Sequence, residues 1–203
     1  MKKYLLMLAA MVLLPLAAQA AKYEEGTHYE IVKQIGTKQP EAIEFFSYFC
    51  PHCYKFSPFM EQLKKRAPEG VKFKKNHVEF LGDTMGPEMA RAFAVAELLK
   101  VEPELSSAMF AAIHDQRKPM TNRDDIKAVF AEIGVDEAKF DSAANSFPVN
   151  GMLKQMQRNT ETFKIRGTPA VVVNGKYLIN PSSVRSIDEY SALLNYLLTQ
   201  VEK

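Results

Sequence analysis

Two cysteines, Cys50 and Cys53, are the residues whose type and spacing most directly suggest chemistry, and the 203-residue chain has no others. A disulfide between them would close so small a loop that it would constrain the unfolded chain little, which makes it a poor structural crosslink. A C-x-x-C pair beside a βαβ pattern is typical of redox-active thiols instead. The spacing therefore predicts thiol–disulfide exchange.

The segment around this pair indicates how one sulfur would be activated. Cys50 follows an apolar run and precedes a helical pattern over residues 51–66, with Pro51 at or near its first position. A helix N-terminus favours an anion through its free amide groups and its dipole, so we expect a Cys50 pKa below that of a free cysteine. His52 can add a donor or a positive charge beside the sulfur. Cys53 is expected to face inward, which leaves Cys50 as the exposed partner.

Two other interpretations of the pair are half of a zinc site and an inert structural bridge. Zinc needs about four ligands, and the chain has no second cysteine pair. His28, His77 and His114 are scattered without ligand spacing, and we interpret them as structural or surface residues. We therefore predict that the site holds no metal.

Apolar patterns predict the elements that position the pair. Strand, helix and strand patterns over 41–47, 51–66 and 71–80 form a βαβ unit with parallel strands. A possible short strand lies within 28–35. Asn174-Gly175, between two apolar runs, predicts a hairpin.

The remaining patterns are helical, and they determine the predicted domain organisation. Helices are expected over 87–100, 103–115, 122–134, 136–145, 149–164 and 188–201, with Asn122 as an N-cap. The resulting order predicts an α/β protein with a thioredoxin fold. In this prediction an all-helical domain over 83–147 is inserted between the two parts of a thioredoxin-like domain, 21–82 and 148–203.

Residues 1–20 have the pattern of an export signal, with Lys2 and Lys3 before a short apolar stretch. Ala18-Gln19-Ala20 matches the cleavage pattern and predicts a cut after Ala20. The alternative, a retained anchor, is disfavoured because the stretch is shorter than the ~18–20 residues that span a bilayer. This segment carries two of the 26 basic residues and none of the 24 acidic ones. The rest of the chain is balanced in charge and has no basic stripe for nucleic acid.

Residues 44–53 (EFFSYFCPHC) resemble the active-site segment of the DsbA-type periplasmic dithiol oxidases. Residues 167–170 (GTPA) resemble their cis-proline loop, and residues 173–177 (VNGKY) their following hairpin. The resemblance implies a monomeric periplasmic enzyme that donates a Cys50–Cys53 disulfide to folding exported proteins. It also implies reoxidation by a DsbB-type, quinone-linked inner-membrane partner. No organic cofactor is expected, since the redox group is the cysteine pair.

The same resemblance implies a cis bond between Thr168 and Pro169, packed against the cysteine pair, where a substrate strand would add. The alternative is an ordinary trans turn. Many members of the family have valine where this chain has Thr168. The threonine hydroxyl favours, to a small degree, a reductase or isomerase role. A third functional alternative is a peptide-binding chaperone whose disulfide is only structural.

Glu44 interrupts an apolar strand, so burial should raise its pKa unless Lys75 pairs with it. By resemblance, Glu44 and Lys75 match a charged pair beneath the active site that relays the proton of Cys53. The alternative is a solvent-facing strand pair with no catalytic part.

Overall fold

The structure is a computed structural model that describes residues 23–202. The predicted signal peptide over residues 1–20 and its cleavage site lie outside the described residues. Within residues 23–202, no helix is both long enough and apolar enough to cross a membrane.

Five strands form one sheet in the order β1-β5-β4-β2-β3. Strands β2 and β3 are parallel, and the other neighbours are antiparallel. Every residue of β2 is buried, as its apolar composition predicts for an interior strand. The strands are β1 (Tyr29–Ile31), β2 (Glu41–Phe46), β3 (Lys72–His77), β4 (Ala170–Val173) and β5 (Tyr177–Ile179).

Helices cover both faces of this sheet. On one face, α1 (Pro51–Arg66) and α7 (Ile187–Leu198) pack on β2 and β4 through residues such as Met60 and Leu193. On the other face, Ile43, Phe45 and Val172 of the sheet pack against Phe163 and Ile165, which follow the helix α6 (Phe147–Thr162).

The chain between β3 and β4 is helical, and it contributes a separate apolar cluster. That cluster also includes Phe46, Tyr48, Cys50 and Cys53, so the cysteine pair lies where the sheet meets the helical block. The predicted thioredoxin fold is confirmed, while the three domain boundaries remain predictions. The helices of this block before α6 are α2 (Met85–Leu99), α3 (Glu102–Phe110), α4 (Arg123–Glu132) and α5 (Glu137–Ala144).

Local signals account for several of these boundaries. Asn122 caps α4 in a capping box with Asp125, as predicted. Asn174 and Gly175 both have positive φ, as in the tight turns of hairpins, and with Lys176 they join β4 to β5. The helix predicted over 103–115 is different, because α3 ends at Phe110 and Ala111–Asp115 forms a π-helical turn.

Candidate active site

Cys50 is the N-cap of α1. Its backbone is extended, at φ −89° and ψ 110°, and its Sγ accepts the backbone N–H of Cys53 at 3.2 Å. Pro51 stands at the start of the helix, where its missing N–H costs nothing. The cysteine sulfur thus takes the place that a serine or aspartate oxygen takes at other helix N-termini.

Hydrogen bonds lower the pKa of Cys50 to about 5 against burial, which raises it. The largest contribution is the hydrogen bond from the Cys53 side chain, and the neighbouring Thr168 and the backbone amides of Cys53 and His52 add smaller contributions. The expected contribution of the His52 ring stays a prediction. The backbone amide of His52 is one of the groups that lower the Cys50 pKa, and its side chain is exposed.

The two thiols have opposite properties. Both cysteines are free in the structure. The pKa of Cys53 is raised, first by its hydrogen bond with Cys50 and then by burial. The expectation that Cys50 is exposed is wrong, because the residue is only 5 % exposed and Cys53 is 1 % exposed. Both pack into the apolar cluster of the helical block.

The loop before β4 lies against the sulfur. The Thr168–Pro169 bond is cis, as the resemblance predicts. The Thr168 carbonyl accepts a hydrogen bond from the Cys50 thiol at 3.5 Å. The Thr168 hydroxyl is buried and has no hydrogen-bond partner of ordinary geometry among residues 23–202. Because Ala170 pairs with Phe45, the antiparallel register of β4 and β2 brings this loop to the end of β2 where the cysteine motif begins.

Glu44 and Lys75 are neighbours in the β2–β3 register, but they do not form the expected ion pair. Lys75 Nζ instead binds Glu102 Oε1 at 2.8 Å. Glu44 Oε2 is buried without a hydrogen-bond partner among the described residues. Burial raises the pKa of Glu44 to about 7, and the charge of Lys75 offsets only part of this rise. Glu102, 27 positions from Lys75, carries no motif that could have revealed this contact.

Tyr48, two residues before Cys50, makes hydrogen bonds through its hydroxyl, its backbone N–H and its carbonyl. Its side chain is fully buried, and its hydroxyl lies 3.0 Å from Ser106 Oγ. Its backbone N–H donates to His77 Nε2 at 3.1 Å, and its carbonyl accepts from His114 Nε2 at 2.8 Å. Burial lowers the pKa of His77 to about 3, which keeps the ring neutral and able to accept. His77 therefore has the structural role that the sequence predicts, whereas His114 touches the catalytic segment.

No group of three or more histidine, cysteine, aspartate or glutamate side chains within residues 23–202 is arranged to hold a metal ion. The chemistry available from the site residues themselves is that of a stabilised thiolate beside a thiol of raised pKa. A thiolate attacks disulfides and is also a good leaving group from them. This arrangement on a thioredoxin fold defines a thiol–disulfide oxidoreductase.

Comparison with known proteins gives the same class. Residues 41–192 match the DSBA-like thioredoxin domain. The chain is 36 % identical to the thiol:disulfide interchange protein DsbA of Escherichia coli K12, over 97 % of this chain and 98 % of that protein. The corresponding protein of Salmonella typhimurium is 37 % identical over 98 % and 99 %. The chain belongs to the DSBA-like thioredoxin domain family, and it is a protein-disulfide oxidoreductase.

Solved structures support the assignment. The crystal structure of the disulfide oxidoreductase DsbA from Proteus mirabilis has a TM-score of 0.79 and 37 % identity, and the match covers 88 % of this chain and 98 % of that one. A cysteine-to-serine variant of the Proteus protein, in complex with a non-covalently bound cysteine-containing peptide, has a TM-score of 0.80 and 37 % identity. That match covers 89 % of this chain and all of the other.

Proposed function

We propose that this protein introduces disulfide bonds into exported folding proteins through a redox-active Cys50–Cys53 disulfide. The observation that carries the proposal is the position of Cys50 at the N-cap of α1, where its Sγ accepts the Cys53 N–H at 3.2 Å. The hydrogen bonds at this position lower the pKa of Cys50 to about 5. Stabilising the thiolate stabilises the reduced protein, and a disulfide whose reduced form is stabilised is a stronger oxidant. The direction of catalysis thus follows from the hydrogen bonds on one sulfur.

The reaction begins with the protein oxidised. A substrate thiolate attacks Cys50 Sγ, the Cys50–Cys53 bond breaks, and its electron pair leaves on Cys53, which takes up a proton. A second substrate thiolate then attacks the substrate sulfur of the mixed disulfide, and Cys50 leaves as a thiolate. The substrate has lost two electrons and gained a disulfide, and both enzyme cysteines are reduced. The low pKa of Cys50 makes it the better leaving group in this second step.

Cys53 needs a proton because its own pKa is raised. We assign this proton to Glu44, whose raised pKa of about 7 lets the carboxyl gain and lose a proton near neutral pH. Lys75 sits beside it in the register and tunes the relay by its charge. Since Lys75 binds Glu102, the relay in this chain includes an electrostatic contribution from a third residue.

Substrate peptides are proposed to bind along the loop that contains Thr168 and Pro169. The contact between Cys50 Sγ and the Thr168 carbonyl supports this position, because a strand added there would bring its cysteine to the sulfur. The peptide complex of the Proteus relative supports a peptide ligand of the same kind.

The cellular setting of the proposal rests on the sequence and on family resemblance. Export by the signal over residues 1–20, with cleavage after Ala20, would place the protein in the periplasm. There it would act as a monomer and be reoxidised by a DsbB-like, quinone-linked membrane protein. No organic cofactor is part of the proposed cycle.

The redox equilibrium with glutathione tests the proposal and separates it from the reductase alternative that Thr168 favours. We expect a reduction potential at least ~100 mV above the about −270 mV of thioredoxin. A potential close to that of thioredoxin would favour the reductase. Absence of any exchange with glutathione would leave only the peptide-binding role.

A further inference from the structure

The π-helical turn of the helical block contacts the cysteine motif on both of its flanks. On the N-terminal side, His114 Nε2 lies 2.8 Å from the carbonyl oxygen of Tyr48. On the C-terminal side, the His114 ring stacks on Tyr54, which directly follows Cys53, with centroids 5.2 Å apart and planes at 8°. The Tyr54 hydroxyl donates to Asp115 Oδ2 at 2.8 Å. One turn of helix therefore holds both ends of the motif.

The backbone geometry of the turn makes these contacts possible. A π-helical turn accommodates one extra residue and redirects the side chains that follow, and such turns are frequent at functional sites. Here the turn runs from Ala111 to Asp115 and carries both contact residues. Because a carbonyl oxygen only accepts hydrogen bonds, His114 must carry a proton on Nε2.

The Tyr48 carbonyl belongs to the tight segment that presents Cys50. In that segment the Cys50 N–H donates to the Ser47 carbonyl at 3.0 Å, and the Tyr48 N–H donates to His77. Movement of Tyr48 would rotate this segment and shift Cys50 Sγ relative to the amides of α1. Those amides are among the groups that lower the pKa of Cys50.

We propose that His114 is a positioning residue for thiol–disulfide exchange: its hydrogen bond to the Tyr48 carbonyl keeps Cys50 Sγ at the N-terminus of α1. This inference rests on the proposed function, since it concerns the thiolate that the function requires. It gives the helical block a direct part in the reactivity of the cysteine pair.

Two substitutions at position 114 separate the hydrogen bond from the ring stacking. His114→Phe keeps an aromatic ring against Tyr54 and removes the donor. His114→Gln keeps a donor N–H at a similar distance and removes the ring.

In the reduced proteins, we measure the pH midpoint of Cys50 alkylation and the redox equilibrium with glutathione. The Phe variant is expected to raise the midpoint by about half a unit to one unit, and to lower the equilibrium constant for reduction about three- to tenfold. The Gln variant is expected to stay within about twofold of the wild type.

Ser106→Ala is the matched control, because it removes the hydrogen bond of the hydroxyl of the same buried tyrosine and leaves the two hydrogen bonds of its backbone in place. It is expected to lower the melting temperature by a few degrees and to leave the alkylation midpoint unchanged. A His114→Phe protein that loses thermal stability but keeps the wild-type midpoint would overturn the inference. An equal shift of the midpoint in all three variants would do the same.

The wild-type protein provides a test that does not depend on the folding of variants. Long-range proton–nitrogen NMR of the His114 ring should show a proton on Nε2, and a ring protonated only on Nδ1 would contradict the inference. Failure of the proposed function is distinguishable, since it would appear as an ordinary thiol midpoint in the wild type itself. A low wild-type midpoint that His114→Phe does not change refutes only the role of His114.

Discussion

Two buried acidic groups, the Glu44 carboxyl in β2 and the Cys50 thiol at the N-cap of α1, have pKa values shifted in opposite directions. Burial raises the pKa of both. For Cys50, hydrogen bonds from Cys53 and the backbone, with a smaller contribution from the neighbouring Thr168, reverse this effect and bring the pKa to about 5. For Glu44, one oxygen has no hydrogen-bond partner among the described residues, and the pKa rises to about 7. Hydrogen bonding, more than burial, decides which group is charged.

Removing the Cys50 sulfur eliminates one of the two compared groups, and it should have the largest effect on activity. Cys50→Ala is expected to lower the rate of oxidation of a reduced model protein by about 10³-fold or more, because no thiol remains to form the mixed disulfide. Cys50→Ser should be equally inactive while restoring an N-cap oxygen. The serine variant should therefore be about 1 kcal/mol more stable to urea than the alanine variant. Oxidation by either variant at an appreciable rate would refute the assigned nucleophile.

Removing the main donor to Cys50 should make its environment more like that of Glu44. Cys53→Ala is expected to raise the pH midpoint of Cys50 alkylation by about one to two units, since the Cys53 hydrogen bond is the largest contribution to the low pKa. Cys53→Ser keeps a hydroxyl donor and should shift the midpoint less. Equal midpoints in the alanine and serine variants would show that the Cys53 hydrogen bond is not the cause.

Removing the ionisable group at position 44 should stabilise the protein in a pH-dependent way. The folded pKa of Glu44, about 7, lies above the ordinary value of 4.5, so the charged form opposes folding. This penalty is absent below about pH 4.5, grows between pH 4.5 and 7, and is complete above pH 7. Glu44→Gln should thus raise the free energy of unfolding by about 1–3 kcal/mol at pH 8 and by much less at pH 4.5.

Glu41 of the same strand provides the control for this measurement. Its carboxylate pairs with Lys74, whose side chain is about half exposed. Glu41→Gln should lower the free energy of unfolding at pH 8, by less than about 1 kcal/mol. A stabilisation at Glu44 that does not change between pH 4.5 and 8 would mean that desolvation of its charge is not responsible.

The smallest predicted effect is on the pKa of Glu44, and it concerns Lys75, which pairs with Glu102 instead of Glu44. Glu102→Gln removes a negative charge that raises the pKa of Glu44, and it releases Lys75 from its ion pair. The Glu44 carboxyl should then titrate about half a unit to one unit lower, as followed by carbon NMR. An unchanged midpoint would show that Glu102 does not influence the titration of Glu44.

Most of the half of this comparison that concerns Cys50 could be predicted from the sequence, because all of its causes except the contribution of Thr168 are local. The cap position, Pro51 and Cys53 all lie within four residues of one another, and helix geometry fixes their relation. The Asn174-Gly175 hairpin was predictable for the same reason. The cis bond before Pro169 came only from family resemblance.

The half that concerns Glu44 could not be predicted, because its causes lie far apart in the chain. Lys75 binds a residue 27 positions away, and the His114 contact with Tyr48 spans 66 positions. The second contact also depends on a π-helical turn, which the apolar pattern over 103–115 does not reveal. The burial of Cys50 was missed because the helical block packs over it only in the folded chain.

The pH dependence of Cys50 alkylation in the reduced wild-type protein tests the central claim most directly. Thiolate and thiol react at very different rates, so the midpoint of the profile reports the pKa of this one sulfur. The hydrogen bonds at the N-cap of α1 predict a midpoint near pH 5. A midpoint near that of a free cysteine, about 8.5, would contradict the account.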